Sequence, residues 1–326
     1  MLVLRRQEVR LIDFFPQSGR IELKICAREP LFSVSRAHRG EQSMVQIIAD
    51  SCASIPDEMV KQLGIQIVPY YVHRGVESLL DLVDVKRQEF YEWMAQADRV
   101  PKTANPSPGD YLTAFRQAAA KTQDIVTVHM TSKGSGAYQS ALAARDIARE
   151  TLPDLKIEVV DTLQVAMVHG WAAIEAARSA LEGQSLEQVA HKARQVASKG
   201  MMIQTADTLR YLYMGGRIGK AKHLVGSLLK IRPIIGMEEG VIVALGQARS
   251  RARAYQGMLD LIRQRLSPGD RIKAAFTHAA AAQEAQRLCD LVEENFDCEE
   301  TFLAELSPAL GVHTGPGTVG VCFYVT

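Results

Sequence analysis

The stretch IVTVHMTSKGSGAYQSALAARDIARE, residues 125–150, decides the class of fold. Its first five residues, IVTVH, predict a strand, and residues 137–150 predict a helix. Hydroxyl side chains and glycines fill the short turn between them. A strand that passes through a short turn into a helix is the unit from which parallel α/β sheets are built.

Strands and helices continue to alternate on both sides of this stretch. Further strands are predicted at 45–49, 65–71 and 157–160. Further helices are predicted after a cap at Ser54, at 86–96, from Gly109 and Asp110 onward, at 163–182 and at 185–198. This order predicts an α/β domain over residues 44–198, with a parallel sheet that carries helices on both faces.

The pattern changes after about residue 199. Strands are predicted at 201–205, 233–237, 241–245, 271–277 and 319–325, and a helix at 280–294. The residues Glu238, Glu239 and Gly240 are typical of a hairpin turn. We therefore expect residues 199–326 to form a second α/β domain, with a mixed sheet, that completes a ligand pocket with the first.

Residues 1–43 differ from the rest of the chain. They hold eight basic and five acidic side chains, and their short apolar pieces are separated by Pro16, Gly19 and Pro30. They contain neither the long apolar region nor the small-residue cleavage site of a secretory signal. We expect a poorly ordered N-terminal extension without its own core, which an upstream start codon would explain. A basic docking arm is the alternative.

The composition disfavours several classes of function. The formal net charge of the 326-residue chain is +1, so charge gives no support to a nucleic-acid or membrane-surface role. Apolar stretches are too short or too polar for a transmembrane helix. The five cysteines, at 26, 52, 289, 298 and 322, form no CxxC pair. This argues against a disulfide framework and a cysteine zinc site, and favours the reducing cytoplasm.

Ligands of open parallel sheets bind beyond the carboxyl ends of the strands, and four segments predicted near that edge carry small donors. Residues 102–110 form a proline-rich loop in which Thr103 offers a hydroxyl. Taken alone, this loop is a connecting turn that caps the next helix at Asp110. Residues 131–138 combine hydroxyls and glycines before a helix, which predicts either an anion site or an ordinary cap by Ser135.

The third segment, residues 214–220, resembles a phosphate loop incompletely. Met214 stands where such a loop needs glycine, and Ala221 stands where it needs serine or threonine. Nucleotide hydrolysis is therefore disfavoured. The alternative is a helix end after Leu212, with Arg217 either exposed or paired.

The fourth segment, residues 311–318, places His313 in a tight loop of glycine and proline. There the imidazole can donate a hydrogen bond to an anion or titrate near neutral pH. Covalent catalysis has weak support, because Lys133 and Ala137 occupy the outer positions of a G-x-S-x-G motif around Ser135. The sequence contains no HExxH motif and no clustered carboxylates for a metal.

Taken together, these segments resemble the DegV family, bacterial fatty-acid-binding proteins that include the binding subunits of fatty acid kinase. The resemblance covers residues 44–326 and consists of six motifs in family order. They are the acidic-serine strand end at Asp50 and Ser51, the Thr-Ser-x-Pro-Ser loop at 103–107, the Ser-Ser-x-x-Ser-Gly-Thr-Tyr turn at 131–138, Gly-Gly-Arg-Ile at 215–218, Leu-x-Ile-Lys-Pro at 229–233 and His-x-Gly-Pro-Gly at 313–317.

The resemblance implies a two-domain α/β protein that holds one long-chain fatty acid between its domains. It implies that Thr103 and Ser135 are the main donors to the carboxylate, with Thr131, Ser132 and His313 as further donors. Neither a catalytic residue nor a metal or cofactor is expected. The protein would instead present the bound acid to the catalytic subunit of a fatty acid kinase in the cytoplasm, which would form an acyl phosphate.

Arg217 matches the arginine of the Gly-Gly-Arg motif, which makes it a candidate contact for the phosphate or the partner. Three residues depart from the family pattern near the proposed head-group site. Ala104 and Ala137 each replace a hydroxyl residue, and Gly134 replaces an apolar one. The number of donors, and with it acyl selectivity, is therefore expected to differ here.

A second class of function is left open by the sequence. Ser135 or Ser132 could act as a nucleophile with His313 as its base, which would make the protein a serine hydrolase or acyltransferase. A serine-reactive probe would label such an enzyme, whereas a binding protein would instead purify with a lipid.

Overall fold

The computed structural model describes residues 45–97, 100–227 and 231–326. The extension predicted at residues 1–43 lies outside this range. The helices of the described range are α1 (Asp57–Leu63), α2 (Arg87–Gln96), α3 (Pro108–Ala119), α4 (Ala137–Thr151), α5 (Ala166–Leu181), α6 (Leu186–Lys199), α7 (Arg210–Met214), α8 (Arg251–Arg265), α9 (Ala282–Asn295) and α10 (Pro308–Thr314). The strands are β1 (Gln46–Asp50), β2 (Gln66–Val68), β3 (Tyr71–Arg74), β4 (Glu77–Leu80), β5 (Lys102–Ala104), β6 (Asp124–His129), β7 (Lys156–Asp161), β8 (Met201–Thr205), β9 (Arg232–Glu238), β10 (Val241–Ala248), β11 (Ile272–His278), β12 (Cys298–Glu305) and β13 (Val319–Val325).

The first sheet is parallel throughout. Its strand order is β2-β1-β6-β7, and each neighbouring pair runs in the same direction. The two middle strands are buried along nearly their whole length, because crossover helices cover both faces of such a sheet. The carboxyl ends of β1 and β6 therefore lie side by side, and the segments after them share one edge.

The second sheet is mixed, with the order β10-β9-β8-β13-β11-β12. Only β11 and β12 are parallel neighbours in it; the other pairs are antiparallel. A parallel sheet followed by a mixed sheet confirms the predicted α/β fold class. The domain boundary between residues 198 and 199 stays a prediction.

A small antiparallel sheet, β4-β3-β5, was not expected from the sequence. The apolar run at 65–71 was predicted to be one strand, but it contains β2 and the start of β3. Pro69 separates them, since proline has no N–H to continue a ladder. The chain turns there and leaves Tyr70 at the corner between the parallel sheet and the small one.

Other sequence predictions also need correction. Ser54 does not cap α1, because a 3₁₀ turn (Ser51–Ala53) intervenes and Ser54 ends it with a φ of 53°. Helices α8 and α10 and strand β12 were not predicted from the sequence. Helix α10 has only seven residues and includes Gly311, so its apolar pattern is too short to recognise.

Helix α5 is the centre of the core. Fourteen of its sixteen residues are buried, and it packs against strands of both large sheets. Two side chains bond it to those sheets: His169 Nε2 donates to the Val128 carbonyl of β6 over 3.0 Å, and Trp171 Nε1 donates to the Cys322 carbonyl of β13 over 3.0 Å. Since a Cβ at Gly170 would overlap the Ala53 carbonyl, glycine is required for this close packing.

Asp81 fastens α10 to the edge of the parallel sheet. Its carboxylate is fully buried and accepts hydrogen bonds from the Ser51 hydroxyl at 2.6 Å and from the Ala309 N–H at 3.2 Å. Ser51 directly follows β1, and Ala309 lies in the first turn of α10. Burial raises the pKa of Asp81 from 3.8 to about 6, although these hydrogen bonds oppose the shift.

This raised pKa predicts a pH-dependent stability. Below pH 3.8 Asp81 is protonated in both the folded and the unfolded chain, and as pH rises towards about 6 only the unfolded chain loses the proton. We expect this group to lower the free energy of unfolding by about 3 kcal/mol across that window. The free energy of unfolding of the Asp81→Asn variant should not fall in this way. The stability of the variant relative to the natural chain should therefore rise with pH.

Chemical denaturation at pH values from 4 to 7 measures this difference. Asp154→Asn, at an exposed position, is the matched control and should leave the profile unchanged. A constant difference between Asp81→Asn and the natural chain over this range would contradict the assignment.

Candidate functional site

A cavity of about 410 Å³ lies at the carboxyl edge of the parallel sheet. Its walls come from the segments after β1 and β6, from β5, from one face of β8 and β9, from the start of β10, and from α10. Much of the wall is apolar, and it includes Met130, Met202, Leu212, Ile235, Met237 and Leu310. The volume falls within the roughly 300–1,000 Å³ of small-molecule sites, and the wall also carries polar side chains.

Thr103 lies on β5 and contributes to the cavity wall. It pairs with Val72 of β3, so a strand holds it, whereas the sequence predicted a proline-rich loop at this position. Its Oγ1 atom lies 2.8 Å from His313 Nε2. The cap of the following helix is also different, because Ser107 caps α3 and Asp110 completes the capping box.

His313 lies in the last turn of α10, which corrects its predicted place in a loop. Its ring packs against the backbone of Gly215, where a Cβ would overlap Nδ1. Burial lowers the pKa of His313 to about 4, and the charge of Arg217 lowers it further. The imidazole is therefore neutral at pH 7.

The neutral imidazole carries its proton on one nitrogen only. Nδ1 is buried, and no described residue offers it a hydrogen bond. An orphaned buried N–H is rarer in proteins than an orphaned acceptor, which favours the tautomer with the proton on Nε2. His313 Nε2 then donates to Thr103 Oγ1, and the hydroxyl proton of Thr103 remains free to bind a ligand.

Ser135 forms a second pair, with Tyr70. The two hydroxyl oxygens lie 2.5 Å apart, and Ser135 Oγ also accepts the Ala137 N–H at 3.2 Å. Burial raises the pKa of Tyr70 well above its ordinary value, and the charge of Asp50 adds to the shift. Both groups are therefore neutral. One proton joins the two oxygens, and the other remains available for a ligand.

Tyr70 is a site residue that was not predicted from the sequence. The signal was present, since a tyrosine follows Pro69 at the end of a predicted strand. Its contact with Ser135 spans 65 residues of sequence, however, and no local pattern reveals such a pair.

Thr131 and Ser132, the two other predicted donors, are placed differently. Thr131 lines the cavity, but its hydroxyl donates to the Gly240 carbonyl at 2.8 Å and accepts the Lys133 N–H. The backbone N–H of Ser132 donates to Asp161 at 3.2 Å, and Ser132 is not among the cavity residues. Thr131 thus ties the loop after β6 to the hairpin between β9 and β10.

Arg217 lies on the exposed turn after α7 and reaches the cavity wall. Its guanidinium donates to the Gly215 carbonyl at 2.8 Å. Gly215 is also the residue against which His313 packs, so this cation lies close to the Thr103–His313 pair. Of the residues that the structure describes, Arg217 and Lys133 are the two cationic side chains on the wall of this cavity.

The residues needed for covalent or metal chemistry are not assembled among the described residues. His313 Nε2 bonds Thr103 and neither Ser132 nor Ser135, and no carboxylate of the described part of the chain bonds the ring. Within the described ranges, no three His, Cys, Asp or Glu side chains could together hold a metal ion. Likewise, none of the described helices is both long and apolar enough to cross a membrane.

Comparisons with known proteins identify the family and the fold. The model of the DegV family matches residues 44–326. A DegV domain-containing protein of Clostridium perfringens is 32% identical over 279 residues, which cover 86% of this chain and 98% of that protein.

Solved structures show the same fold. A DegV family protein from Thermus thermophilus, described by its fatty acid binding, has a TM-score of 0.81 and 28% identity, over 87% of this chain and 100% of its own. A stearic acid-binding protein from Eubacterium ventriosum has a TM-score of 0.81 and 27% identity, over 86% and 98% of the two chains. The cavity thus belongs to a fold in which related proteins carry fatty acids.

The protonation state of His313 can be measured directly. At pH 7 the ¹⁵N spectrum should show a neutral imidazole with its proton on Nε2, and the titration midpoint should lie near the pKa of about 4. His313→Asn identifies the signal by its loss. A midpoint near the ordinary histidine value of about 6.5, or a proton on Nδ1, would contradict the arrangement.

Proposed function

Because this chain belongs to the DegV family, we propose that it binds one long-chain fatty acid in the cavity of about 410 Å³. The carboxylate lies between the Thr103–His313 pair and the Ser135–Tyr70 pair. The hydrocarbon tail lies along the apolar wall. Residues 44–198 supply the loops that bind the head group, and residues 199–326 complete the pocket with β8, β9, β10 and α10.

The observation that carries this proposal is the pair of free hydroxyl protons on a largely apolar cavity. Each pair uses one proton internally and leaves one for a ligand. A carboxylate has two oxygens that accept hydrogen bonds, and bonds to an ionised acceptor are about twice as strong as neutral ones. Two neutral donors hold such a group without a permanent countercharge, so the acid can later be released or modified.

The tail supplies most of the affinity. Burial of about fifteen methylene groups at roughly 0.8 kcal/mol each gives on the order of 12 kcal/mol before the costs of ordering. The head-group donors then fix which end of the chain faces the surface. The solved relatives described by fatty acid or stearic acid binding support the same ligand class here.

We further propose that the protein presents the bound carboxylate to a partner kinase in the cytoplasm, where an acyl phosphate forms. Arg217 supports this step, because it is exposed and lies beside the Thr103–His313 pair. Its charge would attract the phosphoryl group that the reaction adds. In this reading the protein itself is not an enzyme.

The hydrolase or acyltransferase alternative fits the site less well. It requires His313 to take a proton from Ser135 or Ser132, and the imidazole bonds Thr103 instead. A serine-reactive probe discriminates the two functions, since covalent labelling of either serine would support the enzyme.

Removal of the head-group donors tests fatty acid binding. Thr103→Ala and Ser135→Ala should each lower affinity for a fatty acid about tenfold, because each removes a hydrogen bond to a charged group. The double variant should purify with little bound lipid. Thr113→Ala removes an exposed hydroxyl on α3 and is the matched control.

Mass spectrometry of extracted lipid and titration calorimetry give these values. Equal occupancy in the natural chain and the double variant would overturn the proposed head-group site.

The kinase step has its own test. With a DegV-dependent fatty acid kinase and ATP, the natural chain should yield acyl phosphate from its bound acid. Arg217→Ala should lower the rate about tenfold while its affinity for the fatty acid remains within about twofold, since its role is assigned to the phosphoryl group. Arg253→Ala, on the surface of α8, is the control. An equal rate for Arg217→Ala and the natural chain would remove Arg217 from the step.

A further inference from the structure

Gln204 is a buried polar residue on the cavity wall. It lies on β8, its exposed fraction is 3%, and it is one of the residues that line the cavity. Side chains alternate along a strand, so Met202 shares its face, whereas Ile203 packs into the apolar core on the other side of the sheet. In the sheet its direct neighbours are Ile235 of β9 and Gly320 of β13.

No hydrogen bond joins the amide of Gln204 to another residue of the described ranges, and the side chain opens onto the cavity and is not enclosed by protein. It carries two N–H donors and one carbonyl acceptor. Buried polar side chains nearly always have partners, and those without one call for an explanation. The adjacent side chains of Met202 and Ile235 offer none, so the partner must come from whatever occupies the cavity.

The position of Gln204 separates it from the head-group donors along the fold. Thr103 lies on β5, Ser135 precedes α4, and His313 lies on α10. Neither β8 nor β9 carries any of them. The face of β8 and β9 that holds Gln204 also holds Met202, Ile235 and Met237, the apolar surface assigned to the tail.

We propose that Gln204 is a second polar subsite and that the ligand is a long-chain fatty acid with a hydroxyl group on its chain. This inference rests on the proposed function and narrows its substrate class. A hydroxyl can accept from the amide N–H and donate to the amide carbonyl at once. A plain alkyl chain would leave both groups of the amide buried and unpaired, which disfavours its binding.

Competition between stearic acid and hydroxystearic acids tests the proposal. The hydroxystearic acids carry the hydroxyl at successive positions along the chain, so the set also locates the subsite. The natural chain should bind at least one of them about tenfold more tightly than stearic acid. Gln204→Leu should bind stearic acid at least as tightly as the natural chain and should lose the preference for the hydroxylated acid.

Gln283→Leu is the matched control, because it makes the same change from amide to alkyl side chain at an exposed position of α9 away from the cavity. It should retain the preference. An equal ratio of the two affinities in the natural chain and in Gln204→Leu would overturn the proposal. The ratio would also be equal if a water molecule bonded the amide or if the amide contacted the carboxylate. In both cases the substitution would change the affinities for the two acids by the same factor.

Failure of the proposed function looks different in the same experiment. If neither acid binds to the natural chain, fatty acid binding itself is wrong. If both bind and no hydroxylated acid is preferred, fatty acid binding stands and only the subsite at Gln204 is lost. Lipids that purify with the protein should include hydroxylated acids when the cells contain them.

Discussion

The packing of α5 between the two large sheets is the constraint on which the cavity depends. The helix is apolar around almost its whole circumference, and alanines make up much of the surface that faces the strands. Small side chains let both sheets approach closely, and the bonds from His169 and Trp171 fix the helix to each sheet. Because the sheets cannot shift independently, the loops after β1 and β6 face β8 and β9 at a fixed separation. The space left between them is the cavity.

The charges near the cavity follow a consistent arrangement. Ionised groups such as Asp50 lie beneath the site, where backbone N–H groups from Cys52 and Met130 satisfy the carboxylate. Among the groups on the wall, Tyr70 and His313 of the two donor pairs are kept neutral by burial. A buried neutral donor can bind an anion without the strong desolvation penalty of a buried ion pair. The site therefore suits a ligand that brings its own single charge.

The sequence predicted the fold and much of the cavity, and the misses have identifiable causes. The alternation of strands and helices predicted the parallel sheet, and six short motifs identified Thr103, Ser135 and His313 as candidate donors. Contacts between residues far apart in the sequence could not be predicted from it, such as the contact of Thr103 with His313 across 210 residues. Gln204 has no distinguishing feature in the sequence, because only its neighbours in the fold set it apart from other polar residues in strands. Short elements such as β5 and α10 carry too few residues for a periodic pattern.

The hairpin of β9 and β10 closes one side of the cavity, and its tip is tied to the loop after β6 by the bond from Thr131 to the Gly240 carbonyl. One hydrogen bond of this kind contributes about 0.5–1.5 kcal/mol, whereas transfer of the whole hydrocarbon tail into water costs on the order of 12 kcal/mol. For a fatty acid held as we propose, the tip of the β9–β10 hairpin therefore opens fast compared with the departure of the hydrocarbon tail. The lifetime of the complex is then governed by the solvent that receives the tail, and a membrane or an apolar protein surface would empty the cavity far sooner than water.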